Sequence, residues 1–250
     1  MVCLQSQRLR IEAKELNEMT LQVGIVGSNG IVLGSDKLLQ QYENGGRSTS
    51  TVSKFRQGTS AICCYSGDSI AEKTANDIQS HDWSDITGVE SIRSTLTALG
   101  DTAFSKSVAE YGGVPKVVRK VLTVLHHEQL WLLDIMGSAT SVANRIEDKA
   151  VAGDVDNTCR YFMNKYAIDC YLRPVSAAVR LAAYTILAAG EENPHGVKDL
   201  ELFVIPKGKE PIPIGTEQIQ ELKLWFEKSA NEIRATVLAP FDVPEIATGP

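Results

Sequence analysis

Thr20 is the residue whose type and placement best support chemistry. It opens an apolar run, Leu21-Gln22-Val23-Gly24-Ile25-Val26, and Met19 stands directly before it. If Met19 is the initiator, its removal leaves a free α-amino group on Thr20. One residue then carries a hydroxyl nucleophile and an amine able to take its proton. Other polar and small residues recur at the ends of extended runs. Asp36 ends the second run, and Lys54 sits in Val52-Ser53-Lys54-Phe55. Gly67 follows Ser60–Tyr65, and Gly137-Ser138 follows a later pair of runs.

These residues need strands to position them. Asn29-Gly30 between two apolar runs is a hairpin signal, and it places Thr20 and Asp36 at one end of that hairpin. Gly24, Gly27 and Gly30 precede a strand rather than a helix, so they do not read as a phosphate loop. Residues 38–50 read as a polar loop around Asn44-Gly45-Gly46. A buried strand covers Ser60–Tyr65, with Asp68 or Ser69 capping a helix over 70–79. A second helix covers 89–108. Val117–Leu125 and Gln129–Ile135 read as strands with His126-His127-Glu128 at their turn. Two helices are expected near 141–166 and 175–189, then a strand at 200–205, a turn at Gly208 and a last helix over 216–238. Residues 1–19 read as a leader or as preceding the true start, and 20–250 as one domain with a loose Pro-containing tail. Strands and helices come in blocks, which favours an α+β fold with helices covering antiparallel sheets.

The bulk properties narrow the class. The chain has 250 residues, 43% apolar and 22% charged, with a net charge of −6. That suits a globular protein with a sizeable core. It disfavours binding to nucleic acid or anionic lipid, both of which call for a basic face. No apolar h-region marks a secretory signal, and the longest apolar stretch, 181–189, is too short to span a bilayer. Cys3, Cys63, Cys64, Cys159 and Cys170 form no CxxC pair and no zinc spacing. They read as reduced thiols of a cytoplasmic protein. Cys63 and Cys64 are adjacent in a strand and point to opposite faces. His126 and His127, with no carboxylate or Cys cluster at ligand spacing, read as exposed turn residues.

At TLQVGIVGSNGIVLGSDK, VSKF and AICCYSGDSIAEKTANDI the chain resembles the proteasome β-subunit family, including its bacterial HslV-type relatives. MGSATSVANRI and KDLELFVIPKG extend the resemblance over residues 20–208. It implies a four-layer αββα sandwich of the N-terminal nucleophile (Ntn) hydrolase kind and a threonine-type endopeptidase. Thr20 would be the nucleophile, with its own amine as base. Lys54 would lie beside the hydroxyl, Asp36 would orient Lys54, Gly67 would offer its amide to the oxyanion, and Ser138 would assist proton traffic. No cofactor or metal is implied. The implied partners are further copies of the chain, in rings or stacked rings, with peptide or unfolded-protein substrate inside. The resemblance leaves open an ATPase unfoldase that feeds the chamber.

The chain departs from the family in two places. Precursors of the family carry Gly before the threonine, and this chain has Met19. The loop that supplies a supporting aspartate and serine has Asn193 and Gly196 at the nearest positions, with His195 between them. Taken singly, each of these residues has an ordinary structural role; the set gains meaning from its strand order. Three rival readings stand beside the peptidase: a silent assembly-only subunit, a hydrolase or transpeptidase acting on a smaller amide, and an unrelated binding module.

Overall fold

A computed structural model describes residues 20–43, 46–113, 117–137, 140–153, 157–194 and 197–237. Twelve strands are found among them. β1 (Leu21–Gly27), β2 (Gly30–Ser35), β3 (Leu38–Glu43), β4 (Gly46–Thr51), β5 (Phe55–Gln57) and β6 (Ala61–Ser66) come first. Helices α1 (Ser69–Ser80) and α2 (Val89–Tyr111) follow. Next come β7 (Lys120–Leu125), β8 (Gln129–Asp134), β9 (Val142–Ile146) and β10 (Lys149–Gly153). Helices α3 (Asn157–Tyr166) and α4 (Val175–Glu192) lead to β11 (Glu201–Pro206), β12 (Ile212–Pro213) and α5 (Thr216–Val237).

The strands form two five-stranded sheets and a separate β3–β4 hairpin. The first sheet runs β10-β1-β2-β11-β12 and the second β5-β6-β7-β8-β9. Every pairing is antiparallel. The period-2 alternation of each strand feeds two different cores. Leu21, Val23 and Ile25 of β1 pack on Met163 of α3 and on Ala178, Ala182 and Ile186 of α4. The small residues of α4 let that helix lie close on the sheet. In the second sheet Cys63, Val121 and Trp131 pack on Ile78, Ile92 and Leu96 of α1 and α2. A third core, with Leu33, Ile62, Cys64, Leu122, Leu130 and Phe203, fills the space between the sheets. The fold is thus α+β, with two antiparallel sheets face to face and helices outside each, as expected. Cys63 and Cys64 do face different layers.

Local sequence explains most boundaries. Asp68 caps α1 by accepting from the Ile70 amide at 3.0 Å. α2 stops at Gly112, whose φ is +69°. His126 and His127 turn the β7–β8 hairpin with φ of +52° and +56°, the paired left-handed conformation that tight hairpins need.

Three expectations fail. Within the expected loop 38–50, Leu38–Glu43 and Gly46–Thr51 instead pair as antiparallel strands β3 and β4. The helix expected over 141–166 is instead the β9–β10 hairpin followed by the short α3. Val142-Ala143-Asn144-Arg145-Ile146 carries no clear period of its own, and the pairing of β9 with β8 and of β10 with β1 decides between strand and helix. His126 and His127 are half-buried rather than exposed; His126 Nε2 lies 2.9 Å from the Ile86 carbonyl. Among the described residues no helix is long and apolar enough to cross a membrane.

Candidate active site

Strand ends from both sheets meet at one end of the sandwich. Thr20 immediately precedes β1, Asp36 follows β2, and Lys54 precedes β5. Antiparallel pairing of β1 with β2 sets Gln22 opposite Ser35, so Thr20 and Asp36 lie at the same end. The ladder continues past Ser35: the Asp36 amide donates to the Leu21 carbonyl at 3.1 Å. In return the Leu21 amide donates to Asp36 Oδ1 at 2.8 Å, and the Leu38 amide to Oδ2 at 2.9 Å.

Lys54 completes the set. Its Nζ donates to Thr20 Oγ1 at 3.0 Å and to both Asp36 oxygens at 3.0 Å. All three residues are buried, Thr20 at 4%, Asp36 at 0% and Lys54 at 3% relative exposure. Burial pushes the Asp36 carboxyl up from its ordinary value, while the Lys54 ammonium and the Leu21 and Leu38 amides pull it back. Every hydrogen bond into that group comes from an N–H donor. A proton on either oxygen would displace one of them, so the geometry holds the carboxylate.

Gly153, the last residue of β10, pairs with Leu21 on the other flank of β1. Its φ is +119°, and a Cβ there would lie 1.7 Å from the Thr20 carbonyl oxygen. Only glycine fits, on grounds of both conformation and space. Gly153 also lines a cavity of about 430 Å³ with Val118, Arg119, Asp134, Met136 and Gly137. Gly153 thus touches both the Thr20 carbonyl and the cavity wall.

Gly67 sits at the turn between β6 and α1 with φ of +110°. The cavity residues Val118 and Arg119 crowd it: a Cβ on Gly67 would meet the Val118 carbonyl at 2.7 Å. Among the described residues no acceptor takes the Gly67 amide. Thr20, Asp36 and Lys54 are thus brought together, while Gly67 packs on two residues that line the cavity, Val118 and Arg119. Ser138, His195 and Gly196 lie outside the described residues. Asn193 ends α4, its amide donating to the Ala189 carbonyl. His126 and His127 lie at the opposite end of β7 and β8 from the site.

Sequence reasoning passed over Asp68 as anything but a cap, and Arg119 altogether. Arg119 pairs with Asp68 across 51 positions, and nothing local in Val117-Val118-Arg119-Lys120 announces it.

No family model and no curated protein matches the chain. Solved structures do. The chain is similar to the ancestral β-subunit Anbu of Yersinia bercovieri, with a TM-score of 0.63 and 12% identity over 92% of this chain and 100% of that one. A helical assembly of the Anbu complex from Pseudomonas aeruginosa gives 0.68 and 11%, over 90% and 98%. A Gly-1 mutant of Anbu from Hyphomicrobium sp. strain MC1 gives 0.61 and 13%, over 90% and 100%. At such identities the likeness shows a shared fold alone, the sandwich of two antiparallel sheets between helices.

These neighbours correct one expectation. Anbu is a proteasome-like branch distinct from HslV, though related to it, so the HslV-type placement does not stand. The motifs behind that placement, 20–37, 52–55 and 61–78, supply β1, β2 and β6 together with Thr20, Asp36, Lys54 and Gly67, and these are shared fold elements rather than marks of a branch.

Proposed function

We propose that the chain is a proteasome-like threonine hydrolase that cleaves peptide bonds through Thr20. The observation that carries this reading is the Lys54 ammonium, held by Asp36 and 3.0 Å from Thr20 Oγ1. A donor there stabilises negative charge on the hydroxyl oxygen as its proton leaves.

Thr20, once freed of Met19, attacks the amide carbonyl. Its own amine takes the hydroxyl proton, directly or through water. The Oγ1–C bond forms, and the tetrahedral oxyanion accepts from the Gly67 amide. The C–N bond then breaks, and the proton passes to the departing amine. Water hydrolyses the resulting ester and restores Thr20. Ser138 assists proton traffic at the amine. The residues named supply the acid, base and nucleophile, so the reaction needs no cofactor.

The helical assembly of the P. aeruginosa neighbour supports an oligomer of this chain, with unfolded protein or peptide as substrate. An ATPase unfoldase is a further partner consistent with an enclosed site. The mature form is proposed to begin at Thr20 and to work in the cytoplasm.

Intact mass and N-terminal sequencing of protein from its native host, followed by a peptide-hydrolysis assay, test the reading. A chain starting at Thr20, with activity abolished in Thr20→Ala, is expected. A retained Met19, or full activity in Thr20→Ala, overturns it. A blocked but assembled chain points instead to a silent subunit, and turnover of small amides alone points to an amidohydrolase.

A further inference from the structure

A two-pronged ion pair holds the turn that carries Gly67. Arg119 Nε donates to Asp68 Oδ1 at 2.8 Å, and Nη2 donates to Asp68 Oδ2 at 2.6 Å. Arg119 is buried, and its guanidinium lies over the Phe104 ring, 5.7 Å from the centroid. Its backbone is fixed too, since its carbonyl accepts from the Ile135 amide at 3.0 Å. Asp68 is tied at a second point by the α1 cap on Ile70. The residue directly after Gly67 is therefore anchored to both the helix and the β7–β8 edge.

The charges matter as much as the anchoring. The Gly67 amide lies at the N-terminal end of α1, where backbone dipoles favour negative charge. Asp68, the next residue, brings a carboxylate to the same helix end. Left alone, it would repel an oxyanion forming there. The bidentate guanidinium cancels it.

We propose that Asp68 and Arg119 form a positioning device for the Gly67 amide. The pair presses the turn against the start of β7 and neutralises the cap beside the developing oxyanion. Its catalytic part rests on the threonine-hydrolase reading; its hold on the turn does not.

Steady-state kinetics and crystal structures of the full chain test this. Removing an oxyanion donor outright costs about 10²–10³ in kcat, so Arg119→Met is expected to lower kcat by roughly ten- to a hundredfold. KM should change by less than about threefold, because the interaction belongs to the transition state. Adding Asp68→Asn removes the uncompensated charge and is expected to recover part of the lost kcat. Arg119→Lys keeps the charge without the fork. It should fall between the native chain and Arg119→Met, and it serves if the methionine variant does not fold. A crystal structure of Arg119→Met, or of Arg119→Lys in that event, should show Gly67 displaced from its left-handed φ. Unchanged kcat with only a lower melting temperature overturns the proposal, and so does Gly67 unmoved in the crystal. A native chain without Thr20-dependent turnover sinks the hydrolase reading alone, and the crystal structure then decides whether the pair holds the turn.

Discussion

The Leu21 amide donates to Asp36 Oδ1 at 2.8 Å, while Lys54 Nζ donates to the same oxygen at 3.0 Å. One carboxylate thus fixes Lys54 and the residue that follows Thr20. Lys54 and the start of β1 cannot move independently.

Removing Lys54 strips the countercharge from a buried carboxylate. Lys54→Met is expected to destabilise the fold by about 3–5 kcal/mol and to abolish hydrolysis. The double variant Asp36→Asn/Lys54→Met should recover part of the stability, since asparagine can accept from only one of the Leu21 and Leu38 amides, and none of the activity. Denaturant melts paired with a peptide assay check both. A double variant no more stable than Lys54→Met would show that the charge was not the source of the loss.

Gly153→Ala puts a methyl group where the Thr20 carbonyl oxygen now lies, at 1.7 Å, and on a φ of +119°. Backbone must move on one side or the other. The expected result is a folded but less stable protein, by roughly 2–4 kcal/mol, with Thr20 displaced and hydrolysis lost. A thermal melt and a crystal structure measure it. Full activity would mean that the β1–β10 pairing is looser than the register implies.

Cys63 is fully buried on the helix side of the second sheet, where its thiol donates to Thr123 Oγ1 at 3.2 Å. Burial pushes its pKa from 9.0 up to about 12. Because the folded value is the higher one, the favourable contribution is intact below pH 9 and is lost as pH climbs toward 12. In that window Cys63 alone erodes stability by up to about 1.4 kcal/mol per pH unit. Cys63→Ala should flatten the alkaline limb of the stability curve. An unchanged slope would assign the alkaline loss to other groups.

Gln22 is wholly buried on the inner face of β1, and among the described residues neither its amide nitrogen nor its amide oxygen has a hydrogen-bond partner. It lies opposite Ser35, which pairs on its other side with Glu201. Gln22→Met keeps the volume and removes the stranded amide. It is expected to raise stability by about 1–3 kcal/mol. A loss of stability in an otherwise unchanged melt would show that the amide is satisfied within the sandwich.

The fold class was readable from sequence, and so was the position of the candidate residues at strand ends. Thr20, Asp36, Lys54 and Gly67 each stand at the end of a strand that alternation or a turn signal reveals. Their nearness follows once β1 and β2 form a hairpin. β9 and β10 were missed because short segments such as Lys149-Ala150-Val151-Ala152-Gly153 suit a helix as well as a strand, and only neighbours in two different sheets decide between them. The Asp68–Arg119 pair was invisible because its partners come from different elements. Gly153 was overlooked because crowding by another chain segment leaves no trace in the sequence beside it.

The crowding at Gly153 bears on protein engineering. Anyone transplanting Thr20, Lys54 and Asp36 onto another sandwich would copy three side chains and still lack the space their arrangement needs. The recipient must also leave an unoccupied Cβ position on the strand facing the nucleophile's carbonyl. A chemically silent residue thereby sets which scaffolds can host the reaction at all.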